Sequence, residues 1–276
     1  MEENVIVLPG TKWQIPLVQK LKRRGYRVVV LDCYEDQPAY QYADEHRIVD
    51  ILDKERVYDI AKEYSAAAVL SDECDIATPT IAWVSEKLGK PSIGMEMADL
   101  YTNKYSMREF ARKHGFATPV FYKCFLKEEA VAAYEQYGKK MIMKPLDGNS
   151  SRGVFSICSV QDIKEHFDES MKYSKKEKCV LVEEYIDGEE FSVDGIKTED
   201  GYYTLAIAHK KHYETNENLD QELIFKYSDS VYDYDLLRQT NQNYVEATGL
   251  KFGLTHAEYK IQNGNFYLIE IGARGG

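Results

Sequence analysis

Lys144 and Pro145 open a small-residue loop, Leu146-Asp147-Gly148-Asn149-Ser150-Ser151-Arg152-Gly153-Val154, in this chain of 276 residues. A lysine ammonium is a compact charge suited to phosphate oxygens. Gly148 and Gly153 let the backbone approach an anion closely, while Asn149, Ser150 and Ser151 offer donors and Arg152 adds a positive charge. The loop can hold a polyphosphate. A plain hairpin turn accounts for the glycines equally well, although not for a lysine at the strand end.

About thirty residues later an apolar strand ends in Glu183-Glu184-Tyr185-Ile186-Asp187-Gly188-Glu189-Glu190-Phe191. The backbone of Glu184 and Ile186 can face a purine edge, Glu183 can accept from its exocyclic amine, and Glu190 can take the ribose hydroxyls. The alternative is a strand followed by a tight Asp187-Gly188 turn and a solvated acidic start to the next strand. Near the end of the chain, Ala257-Glu258-Tyr259 and Leu268-Ile269-Glu270 place two carboxylates in apolar strands, with Arg274 just beyond. Carboxylates are the hard ligands that Mg²⁺ takes, with phosphates completing the shell. Like charges across a strand pair are unfavourable without a cation between them. An arginine at that place can stabilise a transferring phosphoryl group.

The elements that must carry these groups fall into two textures. Strands at 4–8, 27–31 and 67–70 alternate with helices at 13–24, 54–64 and 76–88 on short loops, and Gly25 and Gly89 stand as helix stops. That alternation predicts a doubly wound parallel sheet over about residues 1–100. Pro9-Gly10-Thr11 has one glycine where a dinucleotide fold has three, which speaks against a nicotinamide or flavin site. The acidic cluster Ser71–Asp75 falls at the ligand-binding edge of such a sheet, as a substrate contact or as a solvated loop. From residue 103 the pattern predicts a helix to 114, strand 120–125, helix 128–137, strands 141–144 and 154–157, helix 160–174 and strand 179–184. Strands 189–197 and 202–209 form a hairpin around Glu199-Asp200-Gly201, and a polar stretch follows. Helix 233–247 comes next, and strands 253–261 and 265–271 turn at Asn263-Gly264.

Composition sets the outer bounds. With 44% hydrophobic and 29% charged residues this is an ordinary globular chain, with no apolar run of the roughly 18–20 residues that a membrane span needs and no signal peptide before the first strand. A net charge of -11 argues against nucleic acid or anionic membrane as main partners. Five cysteines without metal-type spacing fit a reducing, cytoplasmic compartment.

Asn103-Lys104-Tyr105-Ser106-Met107-Arg108, Met143-Lys144-Pro145, the glycine loop, Val182 to Ile186, Gly188-x-Glu190-Phe191-Ser192 and Glu258…Glu270-x-x-x-Arg274 come in an order and spacing that resembles the ATP-grasp superfamily. Within it the sequence is similar to carboxylate–amine ligases of the carbamoyl-phosphate synthase, glycinamide ribonucleotide synthetase and L-amino-acid ligase branches. The resemblance implies a Rossmann-like domain over 1–100, a connecting helix at 101–116, a lid subdomain at 117–184 and a central antiparallel-sheet subdomain at 185–276. It implies ATP and Mg²⁺, or Mn²⁺, as cofactors, a small-molecule carboxylate and amine as substrates, and assembly as a homodimer. Lys104 and Lys144 would contact ATP phosphates, and loop 147–153 would close over them. Glu183, Glu184, Tyr185 and Ile186 would hold adenine and Glu190 the ribose. Glu258 and Glu270 would bind the metal, and Arg274 would lie near the γ-phosphate. Lys210 matches a further phosphate lysine, in a register left open by His209, Lys211 and His212. Relatives often carry Asn two residues after the second metal glutamate, where this chain has Gly272, and they usually run on past the motif in which Gly276 falls, so the chain looks truncated. The implied activity is ATP-dependent joining of a carboxylate to an amine through an acyl phosphate. The alternatives are an ATP-binding module without turnover and a kinase-type use of the same fold.

Overall fold

In the computed structural model the described residues are 3–146, 152–175, 177–213 and 216–276, with 216–218 described for the backbone alone. They form two compact units. The first contains residues up to 102 together with 250–255 and 272–276, and the second contains 103–249 and 256–271. The two late segments group with the first unit, although the sequence pattern had run them into the antiparallel part.

The first unit is built from β1 (Asn4–Val7), α1 (Ile15–Arg23), β2 (Arg27–Asp32), β3 (Glu45–Ile48), α2 (Lys54–Glu63), β4 (Ala68–Leu70), α3 (Thr78–Leu88) and α4 (Met95–Leu100). Its sheet has the order β3-β2-β1-β4, and every pairing is parallel. Val28 to Leu31 are all fully buried, the continuous apolar run of a strand covered on both faces. Alternate residues divide between two cores. Ile6, Val29 and Leu31 pack with Val57, Ile60 and Val84 of α2 and α3, whereas Val5, Val28 and Val30 pack with Val18 and Leu21 of α1. The expected doubly wound sheet is therefore present. Two elements were not anticipated: α4, and β3, whose Glu-His-Arg-Ile sequence carries no apolar alternation.

The second unit opens with α5 (Lys104–Lys113), capped by Asn103, whose side chain accepts from the Tyr105 and Ser106 N–H groups. There follow β5 (Phe121–Cys124), α6 (Lys127–Tyr137), β6 (Met141–Pro145), β7 (Phe155–Ile157), α7 (Val160–Tyr173) and β8 (Val180–Glu184). These strands form an antiparallel sheet of order β5-β8-β6-β7. Met141, Met143, Val180 and Val182 pack against Ala130 and Ala133 of α6 and Ile163 and Phe167 of α7. Period two then sends Lys144 and Glu183 to the opposite face.

A second sheet joins β9 (Glu190–Thr198), β10 (Gly201–Tyr213), β11 (Asn216–Phe225), β12 (Gly253–Gln262) and β13 (Asn265–Gly272) in the order β11-β10-β9-β12-β13, with α8 (Tyr234–Thr248) between β11 and β12 in sequence. The polar stretch after residue 209 is thus mostly strand: β10 runs four residues further than expected, and β11 was not foreseen. Most of β11 is exposed, so no buried face imposed an apolar period on its sequence. Tyr202 and Tyr259 hydrogen-bond Asn241 of α8, which marks the helix-covered face. Lys210 pairs in register with Glu190, Ala208 with Ser192 and Ala206 with Asp194, placing these residues on the other face.

Candidate nucleotide site

Lys104 and Arg108 stand one turn apart on α5, so their side chains leave from one face of the helix. Lys104 Nζ donates to Glu270 Oε1 at 2.7 Å. Arg108, 1% exposed, donates through Nε to Glu183 Oε1 at 2.6 Å and through a terminal nitrogen to the Ile269 carbonyl at 2.7 Å. Glu183 also receives Lys144 Nζ, at 2.5 Å. Lys144 and Glu183 are 4% and 2% exposed, and lysine and glutamate reach such depths almost only when paired. Burial pushes the Lys144 ammonium down to about 8 against the pull of Glu183. Burial alone would raise the Glu183 carboxyl, but Arg108 and Lys144 outweigh it and hold the group below the usual carboxylate range.

This pairing changes the reading of the predicted adenine strand. The Glu183 carboxylate is paired with two cations, Arg108 and Lys144. The Glu184 N–H donates to the Val120 carbonyl and its side chain accepts from the Val120 N–H, which removes that N–H as a base donor. Tyr185 donates its N–H to the Lys140 carbonyl, and its ring lies under Lys140 Nζ, 3.4 Å from the centroid. Ile186, two residues past the end of β8, is buried.

A second charge cluster lies on the sheet face that α8 leaves uncovered. Lys210 Nζ contacts Glu258 Oε1 at 2.7 Å, Glu190 Oε1 at 2.9 Å and Asp220 Oδ2 at 3.2 Å. Burial opposes the charge on Lys210, but the Glu258 and Glu190 carboxylates more than offset it and raise its pKa. Burial would likewise raise the Glu190 carboxyl, and the His212 imidazole 3.5 Å away with the charge of Lys210 brings it down to about 2. The His212 imidazole is pushed up chiefly by the neighbouring Glu190 carboxylate. Glu190, expected at a ribose, is therefore a partner of Lys210 and His212 here.

Both candidate metal carboxylates are half-buried on adjacent strands. Strict alternation across the short β12–β13 turn would put them on opposite faces. The buried positions of β13 change phase, from Phe266 and Leu268 to Ile271, and Glu270 is half-buried where strict alternation would bury it. Each glutamate accepts from one lysine, Glu258 from Lys210 and Glu270 from Lys104.

Arg274 belongs to the first unit. Its Nε lies 3.1 Å from both Asp75 carboxylate oxygens, and a terminal nitrogen reaches Oδ2 at 2.8 Å. Gly272 belongs there too: a Cβ at this position would come 2.5 Å from Asp75 Oδ1 and 3.2 Å from Arg274 Nε. Asp75, from the acidic cluster, thus holds the arginine. Gly148, Ser150 and Ser151 lie outside the described residues. Arg152 is exposed, and Gly153 has a φ of +74° with Tyr173 and Ser170 against it, a backbone conformation that suits glycine.

In the sequence, Lys144 was singled out by its place before the glycine loop, and Lys104 and Lys210 by the family resemblance. Arg108, Asp194, His212, Asp220 and His256 were given no role there, although Arg108 sits one helical turn after Lys104 and His256 two residues before Glu258. Residues 137–276 match the ATP-grasp domain family. The chain belongs to the ATP-grasp family. Residues 6–80 of this ATP-grasp protein match the PylC-like N-terminal domain. Among curated proteins it is similar to the formate-dependent phosphoribosylglycinamide formyltransferase of Prochlorococcus marinus, 24% identical over 213 residues, which are 75% of this chain and 54% of that protein. The chain spans about half the length of the curated relatives it matches. Among solved structures it resembles the L-amino acid ligase from Bacillus licheniformis, with a TM-score of 0.80 and 20% identity over 99% of this chain and 67% of that one. The biotin carboxylase domain dimer of 2-oxoglutarate carboxylase from Hydrogenobacter thermophilus, in complex with MgADP and bicarbonate, has a TM-score of 0.80 and 18% identity over 100% of this chain and 65% of that one. These similarities establish the ATP-grasp fold.

Proposed function

We propose that this ATP-grasp protein uses ATP and a divalent cation to activate a substrate carboxylate as an acyl phosphate, which an amine then attacks. The observation that carries the proposal is a set of three buried lysines in one unit, Lys104, Lys144 and Lys210, each held in place by carboxylates. Such lysines are fixed in position by their partners and can turn to phosphate oxygens with little loss of order. Lys144, seated on the face opposite α6 and α7, and Lys104, at the start of α5, would bind phosphates. Ile186 would place the base by its backbone and apolar side chain.

Glu258 and Glu270 form an oxygen donor set that fits Mg²⁺ or Mn²⁺, which when bound would neutralise phosphate charge. With their charge directed to the cation, Lys210 and Lys104 would be released toward the phosphoryl oxygens. Phosphoryl transfer asks mainly for positioning and charge stabilisation, and the side chains named here supply both. Small-molecule carboxylates and amines as substrates, and a homodimer such as the Hydrogenobacter protein forms, belong to the same reading.

The test is ADP release from Mg-ATP across a panel of amino acids and amines, with hydroxylamine added to trap an acyl phosphate as hydroxamate. Release that depends on one carboxylate, with hydroxamate formed, is the expected result. Tight Mg-ATP binding with no ADP under any condition would overturn the reading in favour of a binding module.

A further inference from the structure

Asp194 and Ser192 on β9 and His256 and Glu258 on β12 occupy neighbouring strands of the second unit. His256 Nδ1 lies 2.7 Å from Asp194 Oδ1, and His256 Nε2 lies 4.0 Å from Glu258 Oε1. An ionised carboxylate only accepts, so the bond to Asp194 fixes the proton on Nδ1 and leaves the Nε2 lone pair on the side of Glu258. A carboxylate that orients a histidine through the nitrogen that does not ligate is the recurring support of imidazole–metal bonds. The span also fits. Metal–ligand bonds of about 2.1 Å allow one ion to touch two donor atoms up to about 4.2 Å apart.

The tightest cluster of ligand-type side chains among the described residues is elsewhere, at Glu190, His212 and Asp220. There Lys210 Nζ lies 2.9 Å from Glu190 and 3.2 Å from Asp220, and it also lies 2.7 Å from Glu258, so a cation at either place must displace that ammonium from its carboxylates. No lysine is bonded to His256 or Asp194 in the described contacts. Residue 272, where ligand-bearing relatives are expected to have Asn, has no side chain to offer.

We propose that His256, oriented by Asp194, is a nitrogen ligand to the divalent cation bound by Glu258. The inference rests on the metal-site reading of Glu258 given above. Its consequence is a change in metal preference. An imidazole donor favours Mn²⁺ and later transition ions over Mg²⁺, which takes oxygen. The site would then distinguish Mn²⁺ from Mg²⁺ more strongly than an all-carboxylate pair does.

Manganese and ADP are the probes for the test. The chain is labelled with ¹⁵N-histidine, Mn²⁺ is titrated in the presence of ADP, and free Mn²⁺ and ¹⁵N hyperfine coupling are read by electron paramagnetic resonance. The expected result is a ¹⁵N coupling from one imidazole, absent in His256→Asn. Mn²⁺ affinity should fall about 10- to 100-fold in Asp194→Asn, as when the support of a ligating histidine is removed, while Mg²⁺ affinity moves less. Mn²⁺ bound without imidazole coupling overturns this inference and leaves the Glu258 assignment standing. No Mn²⁺ bound at all overturns both. The coupling is read on the unaltered chain, so a variant that fails to fold does not decide the outcome.

Discussion

The three lysines of the site differ in what holds their charge, and the difference has measurable effects. Burial depresses the pKa of Lys144 to about 8. Its ammonium is therefore intact below that pH and is lost as pH rises through it, and phosphate binding follows the ammonium. ADP affinity measured calorimetrically should hold from pH 6.5 to about 8 and then weaken by up to tenfold per pH unit. Lys144→Arg, which stays charged, should flatten the profile, and an unchanged dissociation constant between pH 7 and 9.5 in the parent chain would refute the role. Glu183 is the counterweight: replacing it with Gln leaves Arg108 and Lys144 buried without their charge partner. Removing one member of a buried pair costs about 3–5 kcal/mol, so Glu183→Gln should lower the urea midpoint strongly. A loss below 1 kcal/mol would show that the carboxylate is not what holds the two cations.

At the scale of elements, the link from β8 to β9 runs close against β12. A Cβ on Gly188 would lie 1.8 Å from the Ile261 carbonyl oxygen of β12, and Ile261 donates its own N–H to Glu189. Because the obstacle is backbone, Gly188→Ala must displace a strand, and a cost of about 2–3 kcal/mol is expected; unfolding in urea measures it. The sequence revealed this element as a turn but not that β12 runs against it. The same division holds more widely. Helices with one buried face, such as α5 and α7, were legible because burial imposes a period, and β8 was legible as a short apolar run. β3 and β11 were not, since Glu45-His46-Arg47-Ile48 and the exposed residues of β11 carry none. In the site, Lys144, Glu258 and Glu270 were proposed from residue type and position, and Lys104 and Lys210 from the family resemblance. Their partnerships could not, because Arg108 to Glu183 and Lys104 to Glu270 join residues 75 and 166 positions apart, and strand register decides them. The change of burial phase along β13, where Glu270 is half-buried, likewise has no mark in the sequence.

For the whole molecule, ligand binding is the test that draws on every part of the site at once. A ligand present at a hundred times its dissociation constant stabilises the folded state by about 2.7 kcal/mol. Mg-ADP should accordingly raise the thermal midpoint of the unaltered chain. It should leave Lys144→Ala unchanged, and a shift of equal size in that variant would remove Lys144 from the site. The first unit carries its own two-sided core and the second its own helix-backed sheets, so each has the apolar burial that a folding unit needs.

Asp75 occupies its position because its neighbour has no side chain. Any residue larger than glycine at 272 would compete with Asp75 Oδ1 and Arg274 Nε for the same volume. An asparagine at 272 and an aspartate at 75 are therefore alternatives, and a lineage changing from one arrangement to the other must pass through a crowded intermediate or shrink residue 75 first. The two positions should covary as a pair, with Gly272→Asn tolerated only alongside a smaller residue at 75. In a double-mutant cycle, Gly272→Asn and Asp75→Ser should be coupled by about 0.5–3 kcal/mol, with the double variant more stable than the sum of the single changes allows.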